Sequence, residues 1–474
     1  MSKKSLLSMI LACLLVVTLF AGCGSSGSQA KSEAKSAAAA AASEAKSAAA
    51  AAVSEAKSEA AAAVSEAKSE AAAAVSEAKS EAAPAANVDT SKESIKVGAV
   101  RSQTGVFAMF DQTAFGPCYR MWVDKVNADG GIYVEEYGKK LPIDLIVYDD
   151  TSDMNQMTQL YQKLILEDQV DFLLPPVSTA FLSAAVPIAA QYGYLMIGAE
   201  GGSDTLKEAL AKYPDFFSVL NYSVTQVPAI VDLMLEQGMK SAYIVYIQDT
   251  HGIEYSSAAE PAFKEAGIEI KAMKSVPADL ADVTPIINDA MASGADAFIL
   301  FTYPQITYPA IEVSKALGYN PKMFITGPGG SFESMKAACG GDAGIEGIIF
   351  EGAWNDKGSP EAAQFAKDLQ EFNKDDPAFG MDWWGHIVYY ASLEVLQQAI
   401  EGAGTLDNKV ISQYIKDNHF NVSMGEIWFE NQEIAHECFL GDLGQWQNGY
   451  PEVIDADENR TADPIVPKPE WAKQ

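Results

Sequence analysis

The sequence predicts an α/β protein built as two doubly wound parallel-sheet lobes, preceded by an Ala-rich helical stalk. Three observations carry this. From Ser94 onward, continuous apolar runs of strand length alternate with amphipathic helical stretches. That is the pattern of parallel strands covered on both faces. The alternation starts again after Phe216–Leu220, which implies a second lobe. Before it, residues 31–83 are almost only Ala, Ser, Glu, Lys and Val, with no helix breaker until Pro84.

In order, Ile95–Val100 reads as a strand and Asp111–Ala128 as a helix stopped by Gly130-Gly131. Leu141–Asp149 is a strand and Asn155–Glu167 a helix. Val170–Leu174 is a strand, Thr179–Tyr192 a helix and Leu195–Ala199 a strand. The second series has helix Val224–Gln237, strand Ala242–Ile247 and helix Ile253–Ala266, then strand Ala297–Phe301, helix Ile306–Leu317 and strand Met323–Thr326. Ligands of such sheets bind beyond the carboxyl ends of the strands. Three strand ends stand out. Pro175-Pro176-Val177-Ser178-Thr179 places two hydroxyls at a helix start. They serve as caps, or the same open N–H groups take a carboxylate, and both readings stand. Glu200-Gly201-Gly202 is a ligand contact or a solvated loop charge. Gln103–Phe110 is an apolar loop suited to a cleft wall or to plain packing.

The N-terminus reads as an export address. Lys3 and Lys4 precede an apolar run, Leu6–Phe20, that is shorter than the ~20 residues of a spanning helix. Phe20-Ala21-Gly22-Cys23 resembles a bacterial lipobox, which implies removal of residues 1–22 and a lipid on Cys23. A flexible linker, residues 23–30, follows. The stalk repeats every 11 residues, marked by Ser32, Ser43, Ser54, Ser65 and Ser76. This is three helical turns at ~3.67 residues each, and the whole segment would reach about 80 Å. Its small apolar seam favours a monomeric spacer. Opposite charges on the two flanks of the seam keep parallel self-association, a coiled coil, as the alternative.

The net charge of −31 falls on the globular part, because the stalk has six Lys against eight Glu and the leader adds two Lys. Such a surface argues against nucleic acid or anionic lipid as partners. Cys118, Cys339 and Cys438 remain after the leader and Cys23, an odd number. His436-x-Cys438 is too little for a metal site. No phosphate loop, zinc spacing or Ser/His/Asp motif is present, so neither a cofactor, a metal nor an enzymatic activity is expected.

Several short pieces, in order and spacing, resemble one family. They are Ile95–Val100 before Thr104-Gly105, Val126-Asn127-Ala128-Asp129-Gly130-Gly131-Ile132, Tyr148-Asp149-Asp150, Val170-Asp171-Phe172, and Tyr192-Gly193 before the Leu195 strand. From about Ser94 to about Trp446 the chain resembles the amino-acid and amide solute-binding proteins of ABC importers, including the leucine/isoleucine/valine-binding proteins. The resemblance implies a type I periplasmic-binding fold with three crossing strands, expected near Asn221, Glu351 and Gly425. It places residues 94–220 with 352–425 in the first lobe and residues 221–351 with 426–474 in the second.

It also implies a carboxylate site at Ser178 and Thr179, and aromatic cleft walls at Phe110 and Tyr303. His251 falls where a tyrosine is common, and Trp384 lies near a further cleft position. Two positions depart from the family pattern. Gly202 stands where a small hydroxyl residue is usual, and Gly329 where an acidic residue often pairs with a ligand ammonium. Either Glu200 supplies that charge, or the ligand has no ammonium and is a small carboxylate, an aromatic acid or an amide. The implied partners are a small solute, an ABC permease and ATPase, and the membrane through the lipid. A surface-tethered sensory module, favoured by the long stalk, is the alternative.

Overall fold

The computed structural model describes residues 91–202, 205–455 and 459–472. The leader, Cys23, the linker and the stalk lie outside the described residues.

The first lobe is organised around β1 (Ile95–Arg101), whose Ile95, Val97, Ala99 and Val100 are buried. A short hairpin, β2 (Ile132–Val134) and β3 (Lys139–Leu141), leads to β4 (Ile143–Asp149). β1 lies between β4 and β5 (Phe172–Leu174), parallel to both. β6 (Met196–Gly198) adjoins β5 and runs parallel to β7 (Phe216–Ser218). Helices Gly116–Ala128 and Gly385–Ala403 pack together, while Met154–Leu166 and Thr179–Gln191 form a second pair. Two separate apolar clusters match these pairs. One joins Ile95, Val97 and Ala99 to Trp122 and Ile387, the other joins Val100 to Met157, Tyr161 and Leu182. Alternate residues of β1 thus serve both faces, as a doubly wound sheet requires.

The second lobe holds β8 (Ser241–Ile247), β9 (Glu269–Val276), β10 (Ala297–Phe301), β11 (Met323–Thr326) and β12 (Ile349–Glu351), all parallel, with β8 between β9 and β10. β9 carries no strand signal in the sequence because it is a half-exposed edge strand, with Glu269, Lys271 and Lys274 in solvent. Charge on an edge discourages pairing with other chains.

Two elements differ from expectation. The helix expected over 111–128 opens with a π-helical turn, Phe110–Phe115, which turns both Phe110 and Phe115 inward. Pro142 interrupts the strand expected over 141–149, since it cannot donate to the ladder.

The chain changes sheet after β7, where Asn221 follows, and again after β12, which ends at Glu351. The third passage comes later than Gly425. Residues 420–427 form a hairpin of β13 (Phe420–Val422) and β14 (Gly425–Ile427). Then β15 (Phe429–Glu430) and β16 (Glu433–Ile434) return to the first sheet, where Glu433 pairs with Ser218 of β7. Phe429 packs edge-on against Phe217 with ring centroids 5.3 Å apart, which anchors that return. Only with β17 (Leu443–Gln447) does the chain enter the second sheet, antiparallel to β12, and β18 (Tyr450–Val453) completes it. Residues 426–434 therefore pack with the first lobe, not the second.

Cys118, Cys339 and Cys438 are free, buried thiols. Among the described residues no group of three His, Cys, Asp or Glu is placed to hold a metal ion. No helix among them is long and apolar enough to cross a membrane.

Candidate functional site

β1 and β8 are the strands on which each sheet reverses its order, and the carboxyl ends at such switch points are where sheets of this kind bind ligands. A cleft lies there, with about 60 Å³ of room for the centres of water molecules. It is lined by all nine positions named from the sequence: Phe110, Ser178, Thr179, Glu200, Gly202, His251, Tyr303, Gly329 and Trp384. Phe115, Phe332 and Asp382 join them.

Ser178 caps helix Thr179–Gln191, its hydroxyl accepting from Phe181 N at 3.4 Å. Its φ of 71° is unusual for a non-glycine residue and turns the chain sharply into the helix. Thr179 is buried, and its hydroxyl has no partner among the described residues. A helix start with an open hydroxyl in a cleft can hold a carboxylate.

The aromatic wall spans both lobes. Phe110 meets Tyr303 at 5.5 Å and Phe332 at 5.8 Å between ring centroids, both edge-on. Phe107 adds a contact to Tyr303 at 6.1 Å. His251 stacks on Tyr303 at 5.5 Å. It is buried, and burial lowers its pKa to about 4, so the ring is neutral.

Trp384 donates from Nε1 to Asn221 Oδ1 at 3.1 Å, and Asn221 donates to Asp442 Oδ1 at 2.6 Å. Its ring lies over Gly352, whose φ is +63° and where a Cβ would stand 2.1 Å from Trp384 Cδ1. One tryptophan thus touches the first and second crossings directly, and reaches the third segment through Asn221.

Both departures have steric causes. At Gly202 a Cβ would meet Asn221 O at 2.6 Å. Gly329 has φ +89°, and a Cβ there would meet Pro304 Cγ at 2.4 Å. No acidic side chain fits at position 329 without moving Pro304.

The reading in which Glu200 supplies a charge to a ligand ammonium is corrected by Arg101. This guanidinium is 0 % exposed and donates to Glu200 Oε1 at 2.5 Å, Glu200 Oε2 at 3.1 Å, Asp111 Oδ1 at 2.8 Å and Pro175 O at 2.6 Å. It also stacks 5.1 Å from the centre of Phe115. Burial raises the Glu200 carboxyl well above its ordinary range and outweighs the opposing pull of Arg101. Glu200 therefore closes the end of β1 against Arg101 instead of standing free. The sequence carried a signal for this, an arginine following the apolar run Val97–Val100, but not the partner 99 residues away.

Asp382 had no sequence signal. It is 2 % exposed, and its Oδ1 accepts from Ser331 Oγ at 2.6 Å and Trp384 N at 3.0 Å. Its backbone N–H donates to His386 Nδ1 at 3.1 Å, while His386 Nε2 lies 2.7 Å from Thr113 O. His386 is thus the neutral tautomer with its proton on Nε2, and burial lowers its pKa.

A profile described as periplasmic binding protein matches residues 94–449. The chain belongs to that family. It is 22 % identical over 398 residues to the Leu/Ile/Val-binding protein homolog 7 of Brucella abortus, covering 79 % of this chain and 96 % of that protein. Its fold is similar to a branched-chain amino acid transporter substrate-binding protein from Streptococcus pneumoniae in complex with isoleucine, with TM-score 0.65, 17 % identity, and coverage of 76 % and 98 % of the two chains. It is similar as well to a solute-binding protein of an ABC transporter from Rhodopseudomonas palustris in complex with 3,4-dihydroxybenzoic acid, with TM-score 0.64, 16 % identity, and coverage of 80 % and 98 %. These relatives are solute-binding proteins, not enzymes, and the fold is the type I periplasmic-binding fold.

Proposed function

We propose that this protein is an extracytoplasmic receptor that closes two lobes on a small carboxylate-bearing solute and delivers it to an ABC permease and ATPase. A lipid on Cys23 would hold it at the outer face of the membrane. The observation that carries the reading is the cleft itself. An open helix start at Ser178-Thr179 faces an aromatic wall contributed by both lobes, at the carboxyl ends of both sheets. The ligands in the two similar structures named above share a carboxyl group, which suits such a helix start. Closure would bias an open–closed equilibrium by the solute's differential affinity for the closed form.

The test is a thermal-shift screen of the full chain against amino acids, benzoates and amides. A ligand that binds only the native state at about 100 times its Kd adds roughly 2.7 kcal/mol, a rise of several degrees. Thr179→Leu should abolish that rise while leaving the melting temperature of the free protein within a few degrees. No shift from any carboxylate, or an unchanged shift in Thr179→Leu, would defeat the reading. The alternative, a sensory module uncoupled from import, draws only on the stalk of about 80 Å. Uptake of the bound solute by cells carrying the protein and a permease would separate the two.

A further inference from the structure

We infer that Asp382 is the counter-charge for a ligand ammonium group, so that the solute is a zwitterionic amino acid and not a simple carboxylic acid. This rests on the reading of the cleft as a solute site. Among the described residues two carboxylates line the cleft, Glu200 and Asp382. Glu200 is bound through both oxygens by Arg101. Asp382 pairs with no lysine or arginine among the described residues. Both of its protein donors, Ser331 Oγ and Trp384 N, bind Oδ1. Oδ2 receives none from the described residues, and it is not sealed away from the cleft as a buried, unpartnered atom would be.

The surroundings hold that oxygen in place. Asp382 stands just before helix Gly385–Ala403, 19 residues long, whose N-terminal N–H groups favour a negative charge. The first residue of the helix is glycine, and a Cβ on it would lie 2.3 Å from Asp382 Oδ2. Phe332 forms a β-bridge with Asp382, so the loop that follows Gly329 holds the carboxylate it cannot itself supply. A buried carboxylate with one open oxygen is costly unless a cation meets it. An amino acid would supply that cation, while its carboxylate takes the start of helix Thr179–Gln191. His251, the histidine on the wall, is neutral and does not compete for the role.

The test uses the full chain and ligand pairs that differ only in the ammonium: L-leucine with 4-methylpentanoate, and L-phenylalanine with 3-phenylpropanoate. Benzoate and 4-hydroxybenzoate complete the set, and affinities are read by calorimetry. The expected result is that one amino acid binds at least roughly 100-fold tighter than its deaminated partner, and that Asp382→Asn erases most of that ratio, as loss of a buried charge partner does. A second variant, Ser331→Ala, removes the donor that orients the carboxylate and should weaken the amino acid more than its partner. The inference is overturned if a deaminated acid or a benzoate binds as tightly as the amino acids, or if Asp382→Asn keeps the ratio. In that case the receptor reading survives. If nothing in the set binds the native protein, the receptor reading falls and the inference with it.

Discussion

Replacing Arg101 with Met keeps an unbranched apolar stem and removes the guanidinium donors at the end of β1. Arg101 is fully buried and makes three charged hydrogen bonds, of 2.5, 2.8 and 3.1 Å, to Glu200 and Asp111. Its partners are buried too, with side-chain exposures of 0 % for Glu200 and 3 % for Asp111. The substitution therefore strands two carboxylates in a dry site. Breaking a buried ion pair from one side costs about 3–5 kcal/mol. Urea unfolding followed by tryptophan fluorescence, on Arg101→Met and the native chain side by side, should give a stability loss of about 4 kcal/mol at pH 7. A loss below about 1 kcal/mol would refute the assignment of Arg101 as the main support of this pair, and would leave Tyr119, which donates to Asp111 Oδ2 at 3.4 Å, as enough to hold Asp111.

Two further outcomes can be checked the same way. His251 is neutral in the fold with its pKa lowered to about 4 by burial, against about 6.5 when unfolded. Between those values the unfolded chain binds a proton that the folded chain does not, so stability present above pH 6.5 falls as pH drops towards 4, by about 3 kcal/mol. His251→Phe should flatten that part of the pH profile, and an unchanged slope would show the ring to be solvated. Gly352→Ala sets a Cβ 2.1 Å from Trp384 at a φ of +63°. Crowding and backbone strain together should cost about 2–5 kcal/mol and weaken solute binding by displacing Trp384 from Asn221. A neutral effect in both measurements would mean that Trp384 repacks freely around Gly352.

The α/β class, the two lobes and the places where strands end are legible in the residues alone. Those features are local. Apolar runs such as Ile95–Val100 and Ala297–Phe301 differ from helical stretches in period and length, and loops at strand ends are where such folds bind ligands. The resemblance added the neighbours across the cleft, so nine named positions line one cavity. Who partners whom came from the packed fold. Glu200 reads as a free carboxylate until Arg101, 99 residues earlier, is seen to hold both its oxygens. Asp382 has no motif, and its role rests on Ser331, 51 residues away, and on the space left by Gly385. The late return of β15 and β16 to the first sheet is equally invisible, since strands of two residues carry no period. Charge pairing and strand pairing over such separations are set by packing, and a single sequence records only the residues, not the contacts.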